Sequence, residues 1–169
     1  MSRAIRYLSM PSPPPRPADV LARSPDWLHG IRILIVEDHA DSRELLRQIV
    51  ASFGATVWVA ADGSEALAIA SAWTPDLILA DLRMPGMDGF ALLSRLRDAP
   101  RLCGIRVVAV SALATGADIK RTWLAGFDGH VAKPIDYDLV ALVIERVFWG
   151  TTRRGRPSVP LGSRAAPAA

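Results

Sequence analysis

The sequence predicts one α/β domain in which a five-stranded parallel sheet carries helices on both faces. Short apolar runs without alternation, at residues 31–36 (IRILIV) and 77–80 (LILA), are typical of strands buried on both faces. A segment with apolar residues at helical spacing follows each strand-like run. Strand and helix alternate five times over residues 31–149. This order favours a doubly wound sheet joined by right-handed crossovers.

The first half of the predicted domain contains two strands and two helices. Strand 31–36 leads to a helix that Gly54 ends, and residues 56–59 form the second strand. Asp62 and Gly63 make a turn into a helix over residues 64–73, which Pro75 closes. Apolar residues recur at helical spacing in the first helix, at Leu45, Leu46, Ile49, Val50 and Phe53. In the second helix, Ala66, Leu67 and Ala70 are predicted to face inward.

The second half contains three strands, each ending in a polar residue. Strand 77–80 ends at Asp81, and a loop with one proline and two glycines leads to a helix that begins at Phe90. Strand 105–110 ends at Ser111 and precedes a weaker helix over residues 115–125. A short strand, about residues 129–132, leads to Lys133, and the last helix covers residues 138–148.

The segments outside this domain lack the pattern of a fold. Residues 1–30 include the proline cluster PSPPPRPAD, and residues 150–169 have no hydrophobic periodicity, so we expect disordered extensions. No apolar run approaches the ~18 residues of a membrane span, and the prolines interrupt any signal-peptide core. Cys103 is the single cysteine and excludes an internal disulfide. We expect a cytoplasmic protein.

The net charge of +3 is unevenly distributed. Residues 31–149 hold 12 basic and 15 acidic side chains, so the basic excess lies in the two extensions. This makes nucleic acid an improbable partner of the domain. The segment 154–157 (RGRP) resembles the core of an AT-hook, a minor-groove-binding motif, but occurs once with few flanking cations. A solvated tail is the preferred interpretation of that segment.

Polar residues stand at the carboxyl ends of four predicted strands, which share one edge of a parallel sheet: Glu37, Asp38, Asp81, Ser111 and Lys133. Taken singly, each has a simple structural role as a turn residue, a helix cap or a surface lysine. Taken together, three carboxylates at one edge repel each other unless a cation compensates them. Mg²⁺ prefers such oxygen ligands, and the lysine would neutralise a phosphoryl group on the nearby aspartate. A P-loop and a Ser-His-Asp arrangement are absent from the sequence.

Four segments together resemble the receiver domains of two-component response regulators: ILIVEDH, LILADLRMPGMDGF, VVAVSALA and HVAKP. The resemblance covers residues 31–149 and implies a flavodoxin-like (βα)5 fold. It implies a signalling domain rather than an enzyme, with Asp81 phosphorylated by a histidine kinase, a phosphotransfer protein or a small acyl phosphate. Ser111 would hydrogen-bond the phosphoryl group, and Lys133 would pair with it. The ligands implied for Mg²⁺ are Glu37, Asp38, Asp81 and the backbone carbonyl of Arg83.

The same resemblance implies a switch and a docking surface. Ser111 would move toward the phosphoryl group, coupled to a residue that is often aromatic in the family and is His130 here. About twenty residues follow position 149, so we expect a stand-alone receiver that docks onto a protein target through its last two helices and fifth strand. Ile119, Trp123 and Trp149 are candidates for an apolar anchor, with core packing as the alternative. Phosphorelay, homodimerisation and a phosphorylation-independent scaffold remain open.

Overall fold

The computed structural model describes residues 26–112 and 115–150, and confirms the predicted alternation of strands and helices. In chain order the elements are β1 (Arg32–Val36), α1 (Ala40–Ser52), β2 (Thr56–Ala60), α2 (Gly63–Trp73), β3 (Leu77–Asp81), α3 (Gly89–Asp98), β4 (Arg106–Ser111), α4 (Gly116–Ala125), β5 (Gly129–Ala132) and α5 (Tyr137–Trp149).

The five strands form one parallel sheet in the order β2-β1-β3-β4-β5. This is the predicted doubly wound, flavodoxin-like arrangement, and its strand order reverses between β1 and β3. Val36 pairs with Ala80, Asp81 with Val110, and Ser111 with Ala132. The register therefore places the polar residues that end β1, β3 and β4 at one edge of the sheet.

Two apolar clusters cover the faces of the sheet. One contains the buried residues of α1 and α5, and the other contains those of α2 and α3. β3 is buried along its whole length, and β1 is buried after its first residue, as their unbroken apolar runs predicted. Among the described residues no helix has both the length and the apolar character needed to cross a membrane.

Side-chain caps determine where several helices begin. Asp62 accepts hydrogen bonds from the backbone N–H groups of Ser64 and Glu65, so α2 begins at Gly63, one residue before the predicted start. Thr115 caps α4, and Asp136 caps α5. Each cap satisfies N–H groups that the first turn of a helix leaves without intrahelical partners.

Leu45 belongs to the apolar residues that recur at helical spacing in α1, but it does not face the core. Leu45 is 45% exposed, whereas Leu46, Ile49 and Val50 are buried against the sheet. Positions 46, 49 and 50 share one face of α1, and position 45 lies about 100° away from position 46 at 3.6 residues per turn. The apolar run in the sequence is thus wider than the buried face.

The packed part of the chain begins before the predicted boundary at Ile31. Leu28 is fully buried, and its N–H donates to the carbonyl of Phe53 over 2.8 Å. The ring of Trp27 lies 5.3 Å from that of Phe53 and 5.6 Å from that of Trp149. A Cβ on Gly54 would come within 2.7 Å of the Asp26 backbone, so glycine is required for this close approach. The proline cluster and the RGRP segment lie outside the described residues.

Candidate functional site

Asp81 lies at the carboxyl end of β3, in the middle of the sheet edge. The residue is 6% exposed, so its carboxylate opens only narrowly to solvent. Its Oδ1 accepts a hydrogen bond of 2.9 Å from the backbone N–H of Arg83. Its Oδ2 faces Lys133, with Nζ 2.5 Å away. The carboxylate is therefore held from two directions, by the loop after β3 and by a side chain from the segment after β5.

Lys133 joins two of the predicted site carboxylates. Its Nζ lies 2.5 Å from Asp81 Oδ2 and 2.8 Å from Glu37 Oε2, and its side chain is only 20% exposed. The backbone N–H of Lys133 donates to the carbonyl of Ser111 over 2.9 Å, which fixes the segment after β5 against β4. One ammonium group thus compensates two carboxylates from neighbouring strands, β1 and β3.

Glu37 and Asp38 follow β1 and face the same site. Glu37 is completely buried, while the side chain of Asp38 is 23% exposed. His39 Nδ1 lies 3.1 Å from Asp38 Oδ1, and its backbone N–H donates to Glu37 Oε1 over 3.3 Å. Candidate ligand atoms of these three residues lie within 4.8 Å of one another. His39 was not among the predicted site residues, although its position directly after the acidic pair was a signal.

Burial and charge shift the protonation equilibria of the site. Burial raises the pKa of Glu37, the charge of Asp81 raises it further, and the hydrogen bond from Lys133 opposes both effects. Burial by itself would lower the pKa of Lys133, but its bonds to Asp81 and Glu37 more than offset this, so the pKa is raised. The lysine therefore remains protonated at neutral pH, and the buried glutamate is the carboxylate that burial destabilises most clearly.

The loop after β3 brings backbone groups close to Asp81. Gly89, the first residue of α3, donates its N–H to the carbonyl of Leu82 over 3.3 Å. A Cβ at Gly89 would lie 2.4 Å from the carbonyl oxygen of Asp81. A larger residue cannot fit there without moving the strand end that carries Asp81. This close approach accounts for one of the two glycines in the loop.

Ser111 and His130, the residues expected to form the switch, lie on the neighbouring strands β4 and β5. Ser111 is buried at the end of β4, one residue beyond the partner of Asp81. His130 lies on β5, and within residues 26–112 and 115–150 neither ring nitrogen has a hydrogen-bond partner. Burial lowers the pKa of His130, while the charge of Asp118 on α4 acts in the opposite direction.

The set of donors fits a hard divalent cation. The carboxylates of Glu37, Asp38 and Asp81 contribute three negative charges, and Lys133 contributes one positive charge, so the group carries a formal charge of about −2. Carboxylate and carbonyl oxygens are the ligands that Mg²⁺ prefers. A divalent ion would neutralise the site.

A family model for the response regulator receiver domain matches residues 33–145. The chain belongs to this family. The receiver domain is 38% identical over 112 residues to an uncharacterized 14.6 kDa protein of Leptolyngbya boryana, covering 66% of this chain and 86% of that protein. It is 40% identical over 108 residues to the Regulator of RpoS of Escherichia coli K12, covering 64% of this chain and 32% of the regulator. The match to the longer relative thus spans about a third of its length.

A solved structure supports the same assignment. The receiver domain of the sensor histidine kinase PA1611 from Pseudomonas aeruginosa superposes with a TM-score of 0.64 at 28% identity. The alignment covers 69% of this chain and 96% of that domain, whose structure contains a magnesium ion coordinated in the active-site cleft. The resemblance described from the four sequence segments is therefore confirmed at the level of the family and its fold.

Proposed function

We propose that this receiver domain accepts a phosphoryl group on Asp81 from the phosphohistidine of a histidine kinase or phosphotransfer protein. The observation that carries the proposal is the position of the Asp81 carboxylate. It is nearly buried, bound by Lys133 and by the N–H of Arg83, and adjacent to the acidic residues that follow β1.

In the proposed reaction an oxygen of Asp81 attacks the phosphorus of the donor. The new bond joins this oxygen to phosphorus, the phosphorus–nitrogen bond of the phosphohistidine breaks, and its electron pair returns to the imidazole. Phosphoryl transfer depends mainly on positioning and charge stabilisation, and Lys133 supplies a fixed positive charge beside the reacting oxygen. Ser111 is proposed to hydrogen-bond the transferred group.

Mg²⁺ is the proposed cofactor, and when bound it would offset the negative charge of the phosphoryl group. Its proposed ligands are Asp38, Asp81 and the backbone carbonyl of Arg83, with Glu37 supporting them. The buried glutamate would contribute charge, while Asp38 is more exposed and so more accessible to an ion from solvent. The magnesium ion in the PA1611 receiver structure supports this proposal.

The proposed output is docking of a protein target on α4, β5 and α5. On α4, Trp123 is 44% exposed and Leu124 is 77% exposed, so both can contribute to an apolar contact. Trp149 instead packs against Trp27, which removes it from the proposed anchor. Transfer of the phosphoryl group to a phosphotransfer protein and formation of a homodimer are alternative outputs of the same phosphorylated state.

Intact-mass spectrometry after incubation with acetyl phosphate tests the proposal. We expect one added phosphoryl group in the presence of Mg²⁺, no addition after chelation of the metal, and no addition to Asp81→Asn. If the protein gains no phosphoryl group and does not respond to beryllofluoride, the phosphoacceptor proposal is wrong. A phosphorylation-independent scaffold would then be the better interpretation.

A further inference from the structure

Arg43, which the proposed reaction does not use, contacts the backbone of the acidic pair from α1. Its Nη1 donates to the carbonyl of Glu37 over 2.6 Å and lies 3.2 Å from the carbonyl of Asp38. The side chain of Arg43 is half-buried. The backbone N–H of Arg43 donates to the carbonyl of His39. The guanidinium thus bridges two consecutive carbonyls in the loop between the end of β1 and the start of α1.

These two carbonyls lie where the regular strand pairing ends. The N–H of Glu37 donates to Ala60 on β2 over 3.1 Å, whereas the described register between β1 and β2 stops at Val36. Beyond this bond the described strand pairing ends, and the carbonyls of Glu37 and Asp38 both accept from Arg43. A backbone carbonyl is a strong acceptor, and a hydrogen bond from a charged group is about twice as strong as one between neutral groups.

We propose that Arg43 is a positioning residue for the cation site, which fixes the backbone of Glu37 and Asp38 so that their carboxylates face Asp81. This inference rests on the proposed function. Arg43 contacts only the main chain of the acidic pair, and Lys133 contacts the carboxylates of Glu37 and Asp81. Arg43 therefore binds carbonyl oxygens and Lys133 binds carboxylate oxygens. Arg43 does not compete with a metal ion for the carboxylates.

Arg47, one turn further along α1, provides a matched control. It pairs with Glu44 over 2.6 Å at the surface and makes no described contact with the acidic pair. Replacing Arg47 removes the same charge from the same helix without touching the loop. A difference between the two replacements consequently reports on the contact with the two carbonyls and not on the net charge of α1.

The test is direct binding of Mn²⁺, measured by electron paramagnetic resonance, with Mg²⁺ as the competitor. We expect Arg43→Ala to weaken the apparent affinity for Mg²⁺ about 10-fold, the lower end of the range for residues that orient metal ligands. Arg47→Ala should stay within about 2-fold of the unmodified protein, and Arg43→Lys, which retains a donor and a charge, should recover part of the loss.

Phosphorylation by acetyl phosphate supplies a second readout. With Arg43→Ala the Mg²⁺ concentration for half-maximal labelling should rise by the same factor, and the rate at saturating Mg²⁺ should remain within about 3-fold. An unchanged affinity for Mg²⁺, or an equal loss in the Arg47 variant, would overturn the proposal. If Arg43→Ala fails to fold, Arg43→Gln is judged by the same criteria. Failure of the proposed function is distinguishable, because the unmodified protein would then show no labelling.

Discussion

Replacement of Lys133 by methionine tests how the site balances its charges. Methionine keeps most of the apolar stem and removes the ammonium group. Glu37 is completely buried and Asp81 nearly so, and each has an oxygen within 2.8 Å of the Lys133 ammonium group. The replacement removes this cation from both carboxylates. The perturbation therefore leaves two like charges close together in a site with little access to water.

We estimate the effect on stability from the burial of the pair. Removing one partner of a buried ion pair costs about 3–5 kcal/mol. The side chain of Lys133 is 20% exposed, so water can partly solvate the remaining charges, and a loss of about 2–3 kcal/mol is expected. At roughly 3–5 °C per kcal/mol for a domain of this size, the melting temperature should fall by about 10 °C without Mg²⁺.

The pH dependence of this loss has a definite sign. The pKa of Glu37 is raised above 4.5 by burial, so between 4.5 and that raised value the folded state binds more protons than the unfolded state. Stability consequently falls as pH rises through this window. Without Lys133 the pKa of Glu37 rises further and the fall is larger. The difference between the variant and the unmodified protein should therefore be smallest near pH 4.5 and greatest above the raised pKa.

Thermal unfolding followed by circular dichroism, repeated over a pH series that rises from about 4.5, measures both effects. The matched control is Lys120→Met, because Lys120 is the other lysine of the chain and is exposed on α4. Adding Mg²⁺ should stabilise the Lys133 variant. Equal melting temperatures for the two variants, or a loss that does not depend on pH, would refute the reasoning.

Four further replacements test the packing of the domain and the titration of His130. Gly89→Ala places a Cβ 2.4 Å from the carbonyl oxygen of Asp81 and should cost about 1–3 kcal/mol in chemical denaturation. Leu46→Ala should cost about 2–5 kcal/mol in the same assay, and Leu45→Ala less than about 1 kcal/mol, because only Leu46 is buried. Burial lowers the pKa of His130, so stability falls as pH drops below 6.5, and His130→Phe should lose less stability between about pH 7 and pH 5.

Each of these replacements has a control or an outcome that contradicts it. Gly116→Ala, where a Cβ would meet nothing within 4 Å, should leave stability nearly unchanged. Equal losses at Leu45 and Leu46 would contradict the described orientation of α1. An unchanged pH profile in the His130 variant would show that this ring does not titrate in a buried position.

The sequence was sufficient to predict the fold and the convergence of Asp81 and Lys133 at one edge of the sheet, because both depend on strands. A parallel sheet brings the ends of its strands to one edge whatever the details of packing, so Asp81 and Lys133 could be placed together from their positions alone. The contact of Arg43 with the two carbonyls depends on the path of a long side chain back across one turn of helix, which spacing does not determine. The burial of Leu28 likewise depends on a contact with Phe53 that no local pattern indicates.

On the proposed function, the charges of the site also supply a physical reason for a switch. With a divalent cation the group of Glu37, Asp38, Asp81 and Lys133 is formally neutral, since its own charge is about −2. On the proposed chemistry the single charge of the Asp81 carboxylate is replaced by the charge of about −2 that a phosphoryl group carries. One additional negative charge then lies beside a site that was previously balanced. Ser111, one residue beyond the partner of Asp81 in the sheet register, can supply a hydrogen-bond donor for it. The driving force for a movement at the end of β4 would thus come from the phosphoryl group itself.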